Sequence, residues 1–237
     1  MTFSFISDVN SCLIVVMKTR QERLTILQNC RLYGIIDLGY VSQSDALSVA
    51  EELLNAGMSV LQLRAKNIAL DIVEDLAIQL VELVASYSAI FILNDYPELA
   101  VKVGADGVHV GQELQDASAT NLDVVRANIG KDLIIGHSTH SYQQAIKAKQ
   151  DRADYIGFGP LFATQTKPGR AAIGLNEIEQ VRAELGLEYP VFCIGGVNGK
   201  TLSSVLDSGA NRVVIVSDLL LSKDIASKAK SLLEKLS

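Results

Sequence analysis

Eight short apolar runs, each followed by a helix-like segment, constrain this chain more than any other feature. The runs are residues 32–37, 59–64, 90–94, 107–110, 133–136, 155–158, 191–194 and 213–216. Most are four to six residues long and lack apolar/polar alternation. A half-exposed strand alternates, whereas a strand covered on both faces reads as continuously apolar, and double covering is the habit of parallel sheets. Between the runs the period changes. Residues 44–55 place Ala46, Leu47, Val49, Ala50, Leu53 and Leu54 at helical spacing and close on Asn55-Ala56-Gly57, a common helix stop. Segments 71–86, 122–128, 142–150, 176–185 and 201–208 repeat the pattern, 96–103 opens near Pro97, and 224–236 is Lys-rich and amphipathic.

Strict strand–helix alternation repeated eight times predicts an α/β fold, a (β/α)8 TIM barrel. The chain has 237 residues, 49% of them hydrophobic, enough for one large core. The expected organisation is a single barrel domain over residues 21–237 behind a short N-terminal extension, 1–20. A doubly wound open sheet is the structural alternative. The first strand is not followed by Gly-x-Gly-x-x-Gly, which weakens a dinucleotide-binding version of it.

Net charge is −6 without a basic patch, so nucleic acid is not an expected partner. Cys12, Cys30 and Cys193 are odd in number and scattered, unlike a disulfide framework or a zinc site. Cys193, inside an apolar run, reads as an inert packed thiol, and a reducing cytoplasm is the expected location. Residues 12–17 are apolar but far too short to span a bilayer. Asp8 precedes them and no basic residue does, so no membrane or signal segment is expected. Met17 is an alternative start that would leave residues 1–16 untranslated.

In such a barrel the chemistry sits at the strand C-terminal ends. Gln62, Arg64 and Lys66 stand there after the second strand, and Asn94 and Asp95 after the third. His109, Gln112 and Glu113 surround the fourth, Ser138, Thr139 and His140 follow the fifth, Gly195 and Gly196 the seventh, and Ser217 the eighth. The sixth strand opens the loop 159–170, which gathers Thr164, Thr166, Lys167 and Arg170 with Gly and Pro. Hydroxyls, backbone N–H groups and cations together suit an anion. Two anion sites are expected: Arg64/Lys66/Thr164/Thr166/Lys167, and Gly195/Gly196/Ser217. Blander roles stand beside these. Arg64 and Lys66 can pair with neighbouring carboxylates, Asn94-Asp95 can cap the short helix, Gly195-Gly196 can be a turn, Ser217 an N-cap, and His109 a hydrogen-bonded core histidine. His137 reads as a loop or packing residue. Asp95 is the best hard-metal ligand, because Mg²⁺ needs only one or two carboxylates beside substrate phosphates.

Gln62-Leu63-Arg64-x-Lys66, Asn94-Asp95, the run from Ala105 to Glu113, Ser138-Thr139-His140-Ser141, the loop through Lys167 and Ile194-Gly195-Gly196-Val197 occur in this order. Over roughly residues 30–220 the chain resembles the thiamine-phosphate synthase and thiazole tautomerase family. The resemblance implies a (β/α)8 barrel that joins aminopyrimidine-methyl diphosphate to a thiazole phosphate, with Mg²⁺, and releases diphosphate through a dissociative, carbocation-like step. It implies that Arg64, Lys66, Asn94, Ser138, Thr164, Thr166 and Lys167 hold the diphosphate, with Arg64, Lys66 and Lys167 stabilising its departure. Asp95 would bind Mg²⁺, Gln62 and His109 would face the pyrimidine, and Gly196, Val216 and Ser217 would hold the thiazole phosphate. The expected partners are these two small molecules, and a homo-oligomer is compatible with the sequence. One departure stands out: the position after Gln112-Glu113, where the family carries a second metal-binding Asp, is Leu114. Glu113 is the nearest substitute, Asp116 a poorer one. A thiazole tautomerase and a weakened, precursor-binding barrel are the alternatives that this departure raises.

Overall fold

The computed structural model describes residues 18–112, 120–163 and 171–237. Eight strands close into a parallel barrel in sequence order: β1 (Leu32–Asp37), β2 (Val60–Arg64), β3 (Ile90–Asn94), β4 (Gly107–Val110), β5 (Ile134–Thr139), β6 (Tyr155–Phe158), β7 (Val191–Cys193) and β8 (Val213–Val214). Between them run α2 (Ala46–Asn55), α3 (Leu70–Ala85), α4 (Pro97–Val103), α5 (Leu122–Ile129), α6 (Tyr142–Gln150), α7 (Ile178–Leu185) and α8 (Leu202–Asp207). The short α9 (Ser217–Leu220) and the closing α10 (Ile225–Leu236) follow β8.

The continuous apolar strands hide a period of two. One set of side chains, including Ile36, Leu63, Leu93, Val108, Ile135 and Ile156, packs outward against the helices. The other set forms a separate core inside the barrel: Tyr33, Ile35, Val60, Ile90, Ile92, Ile134, Tyr155, Phe192 and Val214. Both faces are buried, so hydropathy alone does not distinguish them.

A helix that periodicity did not announce closes the bottom of the barrel. In α1 (Arg20–Asn29) only Arg23 and Leu27 are buried, and its N-terminus is held by a Thr19/Glu22 capping box. Leu27 joins the interior core. Arg23 Nε donates to Asp106 Oδ1 at 2.9 Å and its Nη1 to the Asp132 carbonyl at 3.1 Å. Asp106 also accepts from Phe91 N, and Asp154 accepts from Ile135 N and Arg126. Arg20 pairs with the same Asp154, and Lys18 approaches Asp106 at 3.8 Å. These two carboxylates therefore tie α1 to the strand N-terminal ends, the face of such barrels that serves stability.

Strand ends differ from the sequence expectation where site residues lie. β5 extends through Thr139 rather than stopping at 136, so His137, Ser138 and Thr139 are strand residues. β8 ends at Val214, which places Val216 at the cap of α9 and Ser217 at its first position. The cause at β8 is local: its strand pairs with β7 only at Cys193↔Val213 and with β1 over two residues.

Candidate active site

At the C-terminal mouth of the barrel the interior opens into a cavity of about 950 Å³, measured out to solvent. Parallel register delivers its walls. Asp37 lies beside Arg64, Asn94 beside His109, and Ser138 beside Gly157. The inward positions near the ends of β1 to β5 thus present polar side chains, whereas those of β6 to β8 present Gly157, Ile194 and Val216. Gln62, Arg64, Asn94, His109 and Ser138 line one side of the cavity, and Gly196, Val216 and Ser217 the other.

The cations are already compensated. Arg64 Nη1 donates to Asp37 Oδ2 at 2.8 Å, and Lys66 pairs with Asp95 at the rim. Asp37 Oδ1 also accepts from Gly39 N at 3.0 Å. The Asp95 backbone sits at φ +64°, a conformation that costs a non-glycine residue energy and is concentrated at functional sites. That conformation lets Asp95 Oδ1 accept from Gly111 N at 3.0 Å while its backbone N–H donates to the His109 carbonyl at 2.8 Å.

A polar chain crosses the barrel beneath the cavity. Gln62 Nε2 donates to Tyr33 Oη at 2.9 Å, and Tyr33 Oη is 2.8 Å from Tyr155 Oη. Tyr155 Oη is 3.2 Å from His109 Nδ1, and His109 Nε2 is 3.0 Å from Ser138 Oγ. Burial raises both tyrosine pKa values well above the usual phenol value, so both phenols stay neutral. His137 belongs to a different contact: its Nδ1 meets the Val110 carbonyl at 3.2 Å and its Nε2 meets Gln112 Nε2 at 3.1 Å. Burial lowers its pKa.

The far wall is built by backbone. Leu161 N donates to the Ile194 carbonyl at 2.9 Å and Phe162 N to the Gly195 carbonyl at 3.0 Å. The start of the β6–α7 connection is thereby laid along the end of β7, and Ile173 N returns to the Pro160 carbonyl at 2.8 Å. This approach requires glycine. Gly195 and Gly196 have φ +95° and +68°, and a Cβ on either would meet Pro160 Cα at 2.4 Å or Phe162 Cβ at 2.7 Å. The pair is a turn, and one that opens at the cavity wall.

Gln62, Arg64, Asn94, His109, Ser138, Gly196, Val216 and Ser217 therefore share one cavity, with Lys66 and Asp95 on its rim. Thr164, Thr166, Lys167 and Arg170 fall outside the described residues, as do Glu113, Leu114 and Asp116. Three polar wall residues were not singled out from the sequence: Tyr33, Asp37 and Tyr155. The tyrosines sit in apolar runs and read as packing. Asp37, a carboxylate that ends an apolar run, did carry a signal. Among the described residues, no group of three or more His, Cys, Asp or Glu side chains could hold a metal, and no helix is long and apolar enough to cross a membrane.

A family model described as thiamine monophosphate synthase matches residues 32–219, from the first strand into α9. The chain belongs to that family. Thiamine-phosphate synthase from Caldicellulosiruptor saccharolyticus is 36% identical over 216 residues, covering 90% of this chain and 94% of that protein. The synthase from Gloeobacter violaceus is 37% identical over 212 residues, but the chain spans only 59% of its length. Among solved structures, thiamine phosphate pyrophosphorylase from Pyrococcus furiosus superposes with a TM-score of 0.77 at 27% identity, covering 89% of this chain and 97% of that one. Membership of the thiamine monophosphate synthase family agrees with the fold and with the placement of the shared motifs around one cavity.

Proposed function

We propose that this protein is a thiamine-phosphate synthase, a transferase of thiamine biosynthesis that joins 4-amino-2-methyl-5-hydroxymethylpyrimidine diphosphate to 4-methyl-5-(2-hydroxyethyl)thiazole phosphate. The observation that carries the reading is a single cavity lined from opposite parts of the barrel by groups whose chemistry suits anions. Arg64, Asn94 and Ser138 lie on one side, with Lys66 on the adjoining rim, and Gly196 and Ser217 lie on the other. Two phosphorylated reactants bound in one cavity need that arrangement.

The chemistry asks for charge placement rather than a nucleophile. The C–O bond between the pyrimidine methylene and diphosphate breaks, leaving a carbocation-like pyrimidine, and the thiazole nitrogen forms the new C–N bond. Negative charge that accumulates on the departing diphosphate is stabilised by preorganised cations and N–H or O–H donors, commonly the largest catalytic contribution. Arg64 and Lys66 supply that charge, with Lys167 from the loop. Arg64 and Lys66 are held in place beforehand by Asp37 and Asp95, so little reorganisation of these two accompanies departure. Gln62 and His109 orient the pyrimidine. The neutral tyrosines beneath add no competing anion. Gly196, Val216 and Ser217 hold the thiazole phosphate with the nitrogen toward the methylene.

Mg²⁺ fits the donor chemistry in a restricted way. Asp95 offers one buried carboxylate at the rim, and a hard ion bound mostly through substrate phosphate oxygens needs no larger protein set. Asp95, with Glu113, the residue before Leu114, as the second carboxylate, would hold it, and the ion when bound would neutralise diphosphate oxygens.

The test is turnover. Incubation with both substrates and Mg²⁺ should yield thiamine phosphate and diphosphate in equal amounts. Absence of turnover with retained binding of the thiazole phosphate would sink the synthase reading and leave a precursor-binding barrel.

A further inference from the structure

With a neutral His109 ring, counting protons leaves the five hydrogen-bonded side chains under the cavity two opposite senses, and the Gln62 amide selects between them. Gln62 Nε2 donates to Tyr33 Oη. A neutral phenol has one proton, so Tyr33 donates it to its remaining partner, Tyr155 Oη, 2.8 Å away. Tyr155 in turn gives its proton to His109 Nδ1. That nitrogen is then an acceptor, and the ring proton sits on Nε2, from which it is donated to Ser138 Oγ at 3.0 Å. The outcome appears at both ends of the chain. Gln62 presents Oε1, an acceptor, to the cavity, and Ser138 retains a hydroxyl proton to donate into it. Reversing any one bond reverses the others, because Tyr33, Tyr155 and a neutral His109 ring each have a single proton to give.

We propose that Tyr33 and Tyr155 are positioning residues that lock the hydrogen-bonding sense of Gln62 and Ser138 across the barrel, so that the cavity reads an amino group at one end and an oxyanion at the other. The inference rests on the synthase reading for the identity of that ligand, an aminopyrimidine diphosphate. The physical case is the low dielectric in which the chain lies. Tyr33 and Tyr155 are each 1% exposed, and a buried network missing one member leaves its neighbours unsatisfied rather than solvated. The rings are also packed to stay: Tyr33 and Tyr155 each meet Phe192 edge-on, with centroids 5.1 and 5.8 Å apart. Tyr→Phe removes the hydroxyl and keeps that packing.

The test uses Tyr155→Phe and Tyr33→Phe in the full chain. Its first readout needs no turnover: the ¹⁵N shifts of the His109 ring. Wild type should show one tautomer, protonated at Nε2. Tyr155→Phe should show a mixture, because Nδ1 has lost its donor. In steady state the KM for the pyrimidine diphosphate should rise about 10-fold in either variant, the scale of one lost buried hydrogen bond. The KM for the thiazole phosphate should stay within about 2-fold, since the far wall is built from separate elements. An unchanged His109 tautomer in Tyr155→Phe, or equal losses toward both substrates, overturns the inference. A wild-type protein with no turnover but a single His109 tautomer would overturn the synthase reading and leave the hydrogen-bond direction standing.

Discussion

The Lys66 ammonium lies against the Asp95 carboxylate at the rim of the barrel mouth, joining the turn after β2 to the neighbouring turn after β3. The Asp95 side chain is 4% exposed and that of Lys66 34%, so the carboxylate depends on the pair more than the ammonium does. Removing one partner of a buried pair costs more than the pair itself contributes. Lys66→Met should therefore destabilise the fold by about 1–3 kcal/mol in urea unfolding. Lys66→Met combined with Asp95→Asn should cost less than the two single changes summed. Strict additivity would contradict the contact. Synthase kcat/KM in Lys66→Met should fall about 100-fold, from loss of charge beside the diphosphate.

Gly136 exists to let Tyr155 pass. A Cβ there would stand 2.0 Å from Tyr155 Cζ and 2.4 Å from Oη. Gly136→Ala should lower stability by about 1–3 kcal/mol as the ring is displaced. Gly157 provides the control, because its Cβ would meet His109 Cε1 at an ordinary 3.6 Å. Gly157→Ala should shift the melting temperature far less. Equal shifts would mean that strand flexibility, rather than Tyr155, sets the cost at residue 136.

His137 should make stability fall with acid. Burial lowers its folded pKa, and the Val110 carbonyl opposes this only in part. The unfolded chain, with an imidazole near pKa 6.5, takes up the proton first as pH drops. Stability attributable to the neutral ring is fully present above that value and is lost from about 6.5 downward, toward the lower folded pKa, by about 1.4 kcal/mol for each unit of lowering. Urea unfolding at pH 7.5 and 5.5 should show a smaller loss in His137→Gln than in wild type. An identical loss in both proteins would place the acid sensitivity elsewhere.

The two described thiols should be silent. Burial pushes Cys30 and Cys193 up to about 12, and only the thiolate reacts. A disulfide reagent at pH 8 should modify at most one of the three cysteines in the native protein and all three in denaturant. Rapid modification of two or three native thiols would refute their packing.

Strand and helix alternation was legible residue by residue: β1, β3, β4, β6 and α6 begin and end where the sequence places them. Hydropathic period and turn residues act locally, so they survive without tertiary context. The bottom-capping helix was not legible. Its burial is carried by Arg23 and Leu27, and an arginine reads as surface until Asp106 and the Asp132 carbonyl are brought to it.

The same division runs through the site. Cations, amides and glycines at strand ends mark the barrel mouth, because a parallel barrel sends every strand's C-terminal end to one face. Which carboxylate each cation meets is decided by register, as with Asp37 beside Arg64. Tyr33 and Tyr155, 122 residues apart, share a hydrogen bond only because closure of the barrel brings β1 and β6 to the same interior level. In the sequence each is one more aromatic residue in an apolar strand. The period of the chain sufficed for the architecture and the location of the site, since both follow from local pattern. Its hydrogen-bond direction and charge pairing come from contacts between distant strands, which exist only once the barrel has closed.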